Sequence, residues 1–189
     1  QDGEMHALAL EGGPTRALGP GVVPRWQPDG YVYFHAPDGN AMRVAAAGGA
    51  AELVSETEEG EARRFVMQLL PGERGAILGV QRLDLEYQIR ALDLETGEST
   101  LLATGVPAAY SDTGHLLYLT EGALMAAPFD PATMQTEGAA VPLVDGVLSF
   151  SLSTTGDLAY AVGTAGTQAT EAELVWLSRT GTVTAVEEG

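Results

Sequence analysis

Pro28-Asp29-Gly30-Tyr31-Val32-Tyr33-Phe34 joins a glycine turn to an apolar strand, and the chain does the same three more times. Pro71-Gly72-Glu73-Arg74-Gly75 precedes Ala76 to Leu78, Asp112-Thr113-Gly114 precedes His115 to Tyr118, and Thr154-Thr155-Gly156 precedes Asp157 to Tyr160. Gly30, Gly75, Gly114 and Gly156 are 45, 39 and 42 residues apart, which is the length of a unit of four short strands repeated along a chain. A second series of turns runs in phase with the first. Gly13, Gly49, Gly97, Gly138 and Gly181 each separate an apolar run from a shorter β-branched or leucine run, as Ile89 to Leu94 is separated from Thr100 to Leu102. Each unit therefore reads strand, turn, strand, loop, strand, turn, strand.

These units predict an all-β fold, a β-propeller segment of four complete four-stranded blades over 22–60, 64–105, 106–146 and 147–189. Residues 1–18 supply only the last two strands of a blade, so a two-stranded half-blade precedes them and the ring is incomplete. About 40 residues per blade leave 189 residues short of six or seven blades, and the segment is expected to belong to a longer chain or to an arc completed by other copies. Unpaired strand edges invite association, so both ends are expected to be covered.

The strand before each glycine turn carries a period-two register. Trp26, Leu69, Tyr110 and Leu152 form one column, predicted to be buried between blades, where truncating Trp26 to Ala would leave a cavity costing about 3–5 kcal/mol. Arg25, Gln68, Ala109 and Ser151 alternate with them and point the other way. The strand is expected to be innermost, so Arg25, Arg64, Gln68 and Ser151 are the candidate binding residues on a channel or face.

The formal net charge is −17, with 9 basic residues against 26 acidic ones, and every basic residue is Arg. Phosphate backbones are bound by clustered cations, so no nucleic-acid surface is expected. With no Cys neither a disulfide framework nor a thiolate site is available. No run approaches the 18 apolar residues of a spanning helix, and no membrane insertion by this segment is expected. His6, His35 and His115 lie in different units without a second ligand nearby in sequence; zinc needs three or four converging donors, and no metal or cofactor is expected. Asp38-Gly39-Asn40 reads as a hairpin turn rather than a calcium loop. The acidic run Glu52, Glu56, Glu58, Glu59 and Glu61, leading into Arg63-Arg64, reads as a solvated connection, with a charged recognition loop as the alternative. Gly163 to Ala172 reads as a flexible hairpin tip, and Gln81 to Glu86 as a similar tip with Arg82 exposed.

Val23-Pro24-Arg25-Trp26-Gln27-Pro28-Asp29-Gly30 resembles the W-S-P-D-G turn of TolB-type and related WD-like propellers. His115-Leu116-Leu117-Tyr118-Leu119-Thr120-Glu121-Gly122-Ala123-Leu124-Met125-Ala126-Ala127-Pro128-Phe129-Asp130-Pro131 is similar to a segment of the C-terminal propeller of bacterial transmembrane serine/threonine protein kinases. Val141-Pro142-Leu143-Val144, Phe150-Ser151-Leu152-Ser153 and Glu173-Leu174-Val175-Trp176-Leu177-Ser178-Arg179 continue that likeness. The resemblance implies a sensor or interaction role and a periplasmic or cell-surface position. The kinase's glycine-rich loop, H-R-D and D-F-G are absent, as is the G-x-S-x-G elbow of propeller-bearing hydrolases, so no enzymatic activity is expected of this chain.

Two roles follow. The first is a non-catalytic propeller that binds or senses a protein or small ligand within a larger receptor-like protein. The second is a structural repeat that assembles with other copies through its open edges. Whether the piece is monomeric or polymerises in solution separates them.

Overall fold

The computed structural model describes residues 3–153, 155–163, 173–177 and 183–185, and in it the chain is all β. The tip expected over Gly163 to Ala172 lies, past Gly163, outside the described residues. The contacts divide the chain into two compact units, Gln1–Ala103 and Thr104–Gly189.

The first unit holds three antiparallel sheets. β1 (Glu4–Ala7) pairs with β2 (Arg16–Pro20) alone. β3 (Val22–Trp26), β4 (Tyr31–His35), β5 (Ala41–Ala45) and β6 (Glu52–Ser55) form a four-stranded meander. So do β7 (Glu61–Leu69), β8 (Gly75–Arg82), β9 (Tyr87–Asp93) and β10 (Ser99–Thr104). In the second unit β11 (Ala108–Ser111), β12 (His115–Thr120) and β13 (Ala123–Asp130) lie in sequence order. β13 then pairs with both the short β14 (Gln135–Thr136) and β15 (Val141–Asp145). β16 (Val147–Leu152), β17 (Leu158–Val162), β18 (Glu173–Leu177) and β19 (Val183–Ala185) make its last sheet.

The glycine turns are tight because their backbone is left-handed, a conformation that costs glycine nothing. Gly30, Gly72, Gly114 and Gly156 all have φ between +80° and +86°. The differences 72 − 30, 114 − 72 and 156 − 114 are each 42, so Gly72, not Gly75, continues the series. Gly75 opens β8, and the turn before it holds one residue more, with Glu73 also left-handed at φ 58°.

Strand alternation divides β4 between two cores. Val32 and Phe34 pack with Met5, Ala7, Leu18 and Val44 against the two-stranded sheet. Tyr33, with Ala41 from β5, packs on the other side against Val66, Leu69, Leu78, Val80 and Leu92. In the second unit Leu117, Leu119, Leu124 and Ala126 meet Val147, Leu158 and Tyr160, while Tyr110 sets its ring edge-on to Phe129 at 5.9 Å. A polar peg joins two sheets of the first unit: Gln27, 7% exposed, accepts the Leu69 N–H on Oε1 at 3.1 Å.

The predicted aromatic and leucine column holds at Leu69 and Tyr110, both buried, and Leu152 is half-buried. Trp26 is the exception at 62% exposed. It pairs with Val32, so it shares the face that meets the two-stranded sheet. That sheet has two strands where the others have four or five, and its side chains reach Val32 and Phe34 but leave Trp26 uncovered. A bulge between Val22 and Arg25, with Val23 at φ 56°, further separates Trp26 from the start of its strand. Arg82 is likewise not the exposed tip residue: it is half-buried, and Leu83 and Leu85 are exposed instead.

Candidate functional site

Of the four residues singled out from sequence, Arg25 and Ser151 are exposed and Gln68 is half-buried. Ser151 belongs to the second unit and the other three to the first. Arg64 is 2% exposed and fully engaged. Its Nε donates to Glu61 Oε2 at 2.6 Å, Nη2 to Glu61 Oε1 at 3.0 Å and to Glu58 Oε1 at 2.6 Å, and Nη1 to Ser55 Oγ at 2.9 Å. The acidic run is therefore not simply a solvated connection. Glu61 is as buried as Arg64, each with 3% of its side chain exposed, and Glu52 pairs with Arg43 at 2.9 Å. Burial pushes the Glu61 carboxyl up, but the hydrogen bonds from Arg64 and the Glu58 backbone, with the Arg64 charge, outweigh it and hold the carboxyl below its ordinary range.

Arg63 has a different environment one residue away. It pairs with Gln81, which pairs with Tyr87, so the three share a face opposite that of Arg64. Arg63 Nη2 donates to Tyr87 Oη at 3.3 Å, and Nη1 lies 3.5 Å from His35 Nε2. Its Nε is buried with no hydrogen-bond partner, and no carboxylate lies at ion-pair distance among the described residues. His35 is 8% exposed. Burial first, and the Arg63 charge in addition, hold its imidazole below the ordinary value of 6.5 despite a hydrogen bond to the Ala36 backbone, so it is neutral at pH 7.

Arg63 and His35 line a pocket of about 340 Å³ completed by Gly3, Gly21, Val22, Ala36, Pro37, Gly39 and Ala62. The Asp38-Gly39-Asn40 turn builds one wall. Asp38 Oδ1 accepts the Asn40 N–H at 3.1 Å, and Asn40 Oδ1 accepts from the Thr57 backbone at 2.8 Å. Gly39 (φ 90°) lies so close to the Ala62 carbonyl that a Cβ there would collide with backbone, and its own carbonyl accepts the Arg64 N–H at 2.8 Å. Sequence reasoning passes over this site because His35 and Arg63 are 28 residues apart in different repeats. The one available signal is His35 closing the otherwise apolar or aromatic strand Tyr31–His35; Arg63 sits among other polar residues in β7 and carries none. Among the described residues no three His, Asp or Glu side chains are grouped to hold a metal ion, and no helix is long and apolar enough to cross a membrane.

The fold is that of an incomplete β-propeller. It is similar to regucalcin, a calcium-binding protein from Agrobacterium tumefaciens, with 17% identity, 95% of this chain and 64% of that one covered, and a TM-score of 0.66. It is also similar to a structure assigned as TolB from the same organism (15%, 93% and 66%, 0.66) and to an oligogalacturonate lyase in complex with manganese (14%, 95% and 57%, 0.63). The chain thus spans two thirds or less of these neighbours. No protein-family profile and no curated protein matches the sequence. The TolB-type likeness is supported at the level of fold, and the kinase linkage is not. The expectation that such a chain has no enzymatic activity does not stand, because the lyase shows that this fold also occurs in enzymes.

Proposed function

We propose that this chain is the recognition part of an extracytoplasmic propeller, binding a small ligand in the pocket beside His35 and Arg63. The observation that carries this reading is the pocket itself, a concave site of ligand size with a half-buried cation that no side chain among the described residues neutralises. The likeness of Gly114 to Pro131 to kinase-linked propellers supports a sensing role outside the cytoplasm. The edge of β1, which pairs with β2 alone among the described residues, and the exposed Trp26 support completion of the first sheet by further strands, from the same polypeptide or a neighbouring copy.

Thermal-shift measurements on the 189-residue chain with a chemically mixed set of small acids, amides, amines and sugars test the reading. At least one compound is expected to raise the midpoint and to lose its effect in Ala62→Trp, which fills the pocket from its exposed rim. If no compound acts, or if those that act are indifferent to Ala62→Trp, the pocket is not the ligand site.

A further inference from the structure

The chain carries 26 carboxylates and 9 arginines, and of the eight arginines among the described residues three, Arg43, Arg64 and Arg74, have a carboxylate at ion-pair distance. Arg63, like Arg16, Arg25, Arg82 and Arg90, has none among the described residues, but of these five it is the one that lines the pocket and carries a buried Nε without a hydrogen-bond partner. Its contacts are with two neutral groups, the Tyr87 hydroxyl and the His35 imidazole, at 3.3 and 3.5 Å, and its Nε is unsatisfied. A buried donor without an acceptor is costly, and a guanidinium without a counter-charge more so. None of the described side chains supplies the counter-charge.

The shape of the site narrows the choice of anion. A guanidinium is a planar fork of donors that matches the two oxygens of a carboxylate. The rest of the lining is Gly, Ala, Pro and Val, and the side chains of Val22, Ala36, Pro37 and Ala62 offer an aliphatic chain apolar surface beside the backbone. We propose that the pocket takes a small aliphatic carboxylic acid as its anion, the carboxylate accepting hydrogen bonds from the Arg63 guanidinium while His35 fixes that guanidinium's position. This rests on the reading of the pocket as the ligand site and adds the ligand's chemical class.

Titration calorimetry at constant ionic strength with butyrate and succinate, their uncharged amides and inorganic phosphate separates the possibilities. The acids are expected to bind saturably at pH 7, at least about tenfold more tightly than the amides, as the loss of a hydrogen-bonded charge implies. Binding should perturb the NMR amide signals of Gly21, Gly39 and Ala62. Arg63→Gln should cut acid affinity about tenfold or more and amide affinity by less, so that the preference for acids disappears; Arg63→Lys, which keeps the charge but not the fork, should fall between. Amides that bind as well as acids would overturn the proposal and spare the pocket as a ligand site, and phosphate binding in preference to the acids would overturn it in the same way. Binding by none of these probes would overturn it too, and if the mixed set above is also silent the ligand site itself is lost. The comparison of acids with amides uses the unaltered chain, so its outcome does not depend on the variants folding.

Discussion

Removing the Arg64 side chain by Arg64→Ala is expected to destabilise the first unit by about 3–5 kcal/mol, the cost of leaving one member of a buried ion pair without the other. The magnitude comes from Glu61: with 3% of its side chain exposed and both oxygens directed at the guanidinium, it has no access to compensating water. Glu58 adds little, because its side chain is 65% exposed and such pairs are worth about 0–1 kcal/mol. Urea denaturation at pH 7, followed by far-UV circular dichroism, measures the loss. Combining Arg64→Met with Glu61→Gln removes both charges, so the double variant should be more stable than the two single losses added together. The pair also fixes a pH dependence. Glu61 has a depressed folded-state pKa, so its contribution is full above the ordinary glutamate range and is lost as pH falls through the depressed value. A loss under about 1 kcal/mol for Arg64→Ala, or strict additivity in the double variant, would refute the clamp.

Trp26→Ala is expected to change stability by no more than about 0.5 kcal/mol, as for exposed positions generally, whereas Leu69→Ala, in the same column but buried, should cost about 2–5 kcal/mol; the same denaturation curves compare them. Gln27→Leu leaves the buried Leu69 N–H without its acceptor and should cost about 1–3 kcal/mol, with faster hydrogen exchange at the Leu69 amide as the local sign. His35 should titrate below 6.5 by NMR. Because the unfolded chain then binds the proton more readily, stability should fall as pH drops from about 6.5 through the folded value, and His35→Gln should flatten that slope between pH 7 and 5.

The repeat is legible because backbone conformation writes itself into composition. Left-handed turns select glycine, and a strand between two cores selects alternate apolar residues, so Gly30, Gly114 and Gly156 and the strands after them can be read directly. What the sequence hides is neighbourhood. Trp26 and Leu69 occupy equivalent places in their repeats, yet one is exposed and the other buried, because burial depends on the sheet opposite. Arg63 and Arg64 are chemically identical and adjacent, and the sequence pattern points to Arg64. Only the register of β7 reveals that Arg64 faces Glu61 of its own strand and Glu58 of the connection before it while Arg63 faces a histidine and a tyrosine of other strands. Gln27 reads as part of a turn, and its bond to Leu69, 42 residues on, has no trace in the local pattern.

In the four- and five-stranded sheets every strand after the first pairs with the one made just before it, except β15, which pairs with β13, and this has a consequence for biosynthesis. The contacts that hold a sheet together close over short stretches of chain, so each is available as soon as its last strand leaves the ribosome, and folding dominated by short-range closures is fast. Cross-sheet ties such as Gln27 to Leu69 can form only after the following strand has emerged. The chain is thus suited to vectorial assembly, one sheet at a time within each unit. A ribosome stalled just after β6 has cleared the exit tunnel should already display a protease-resistant meander.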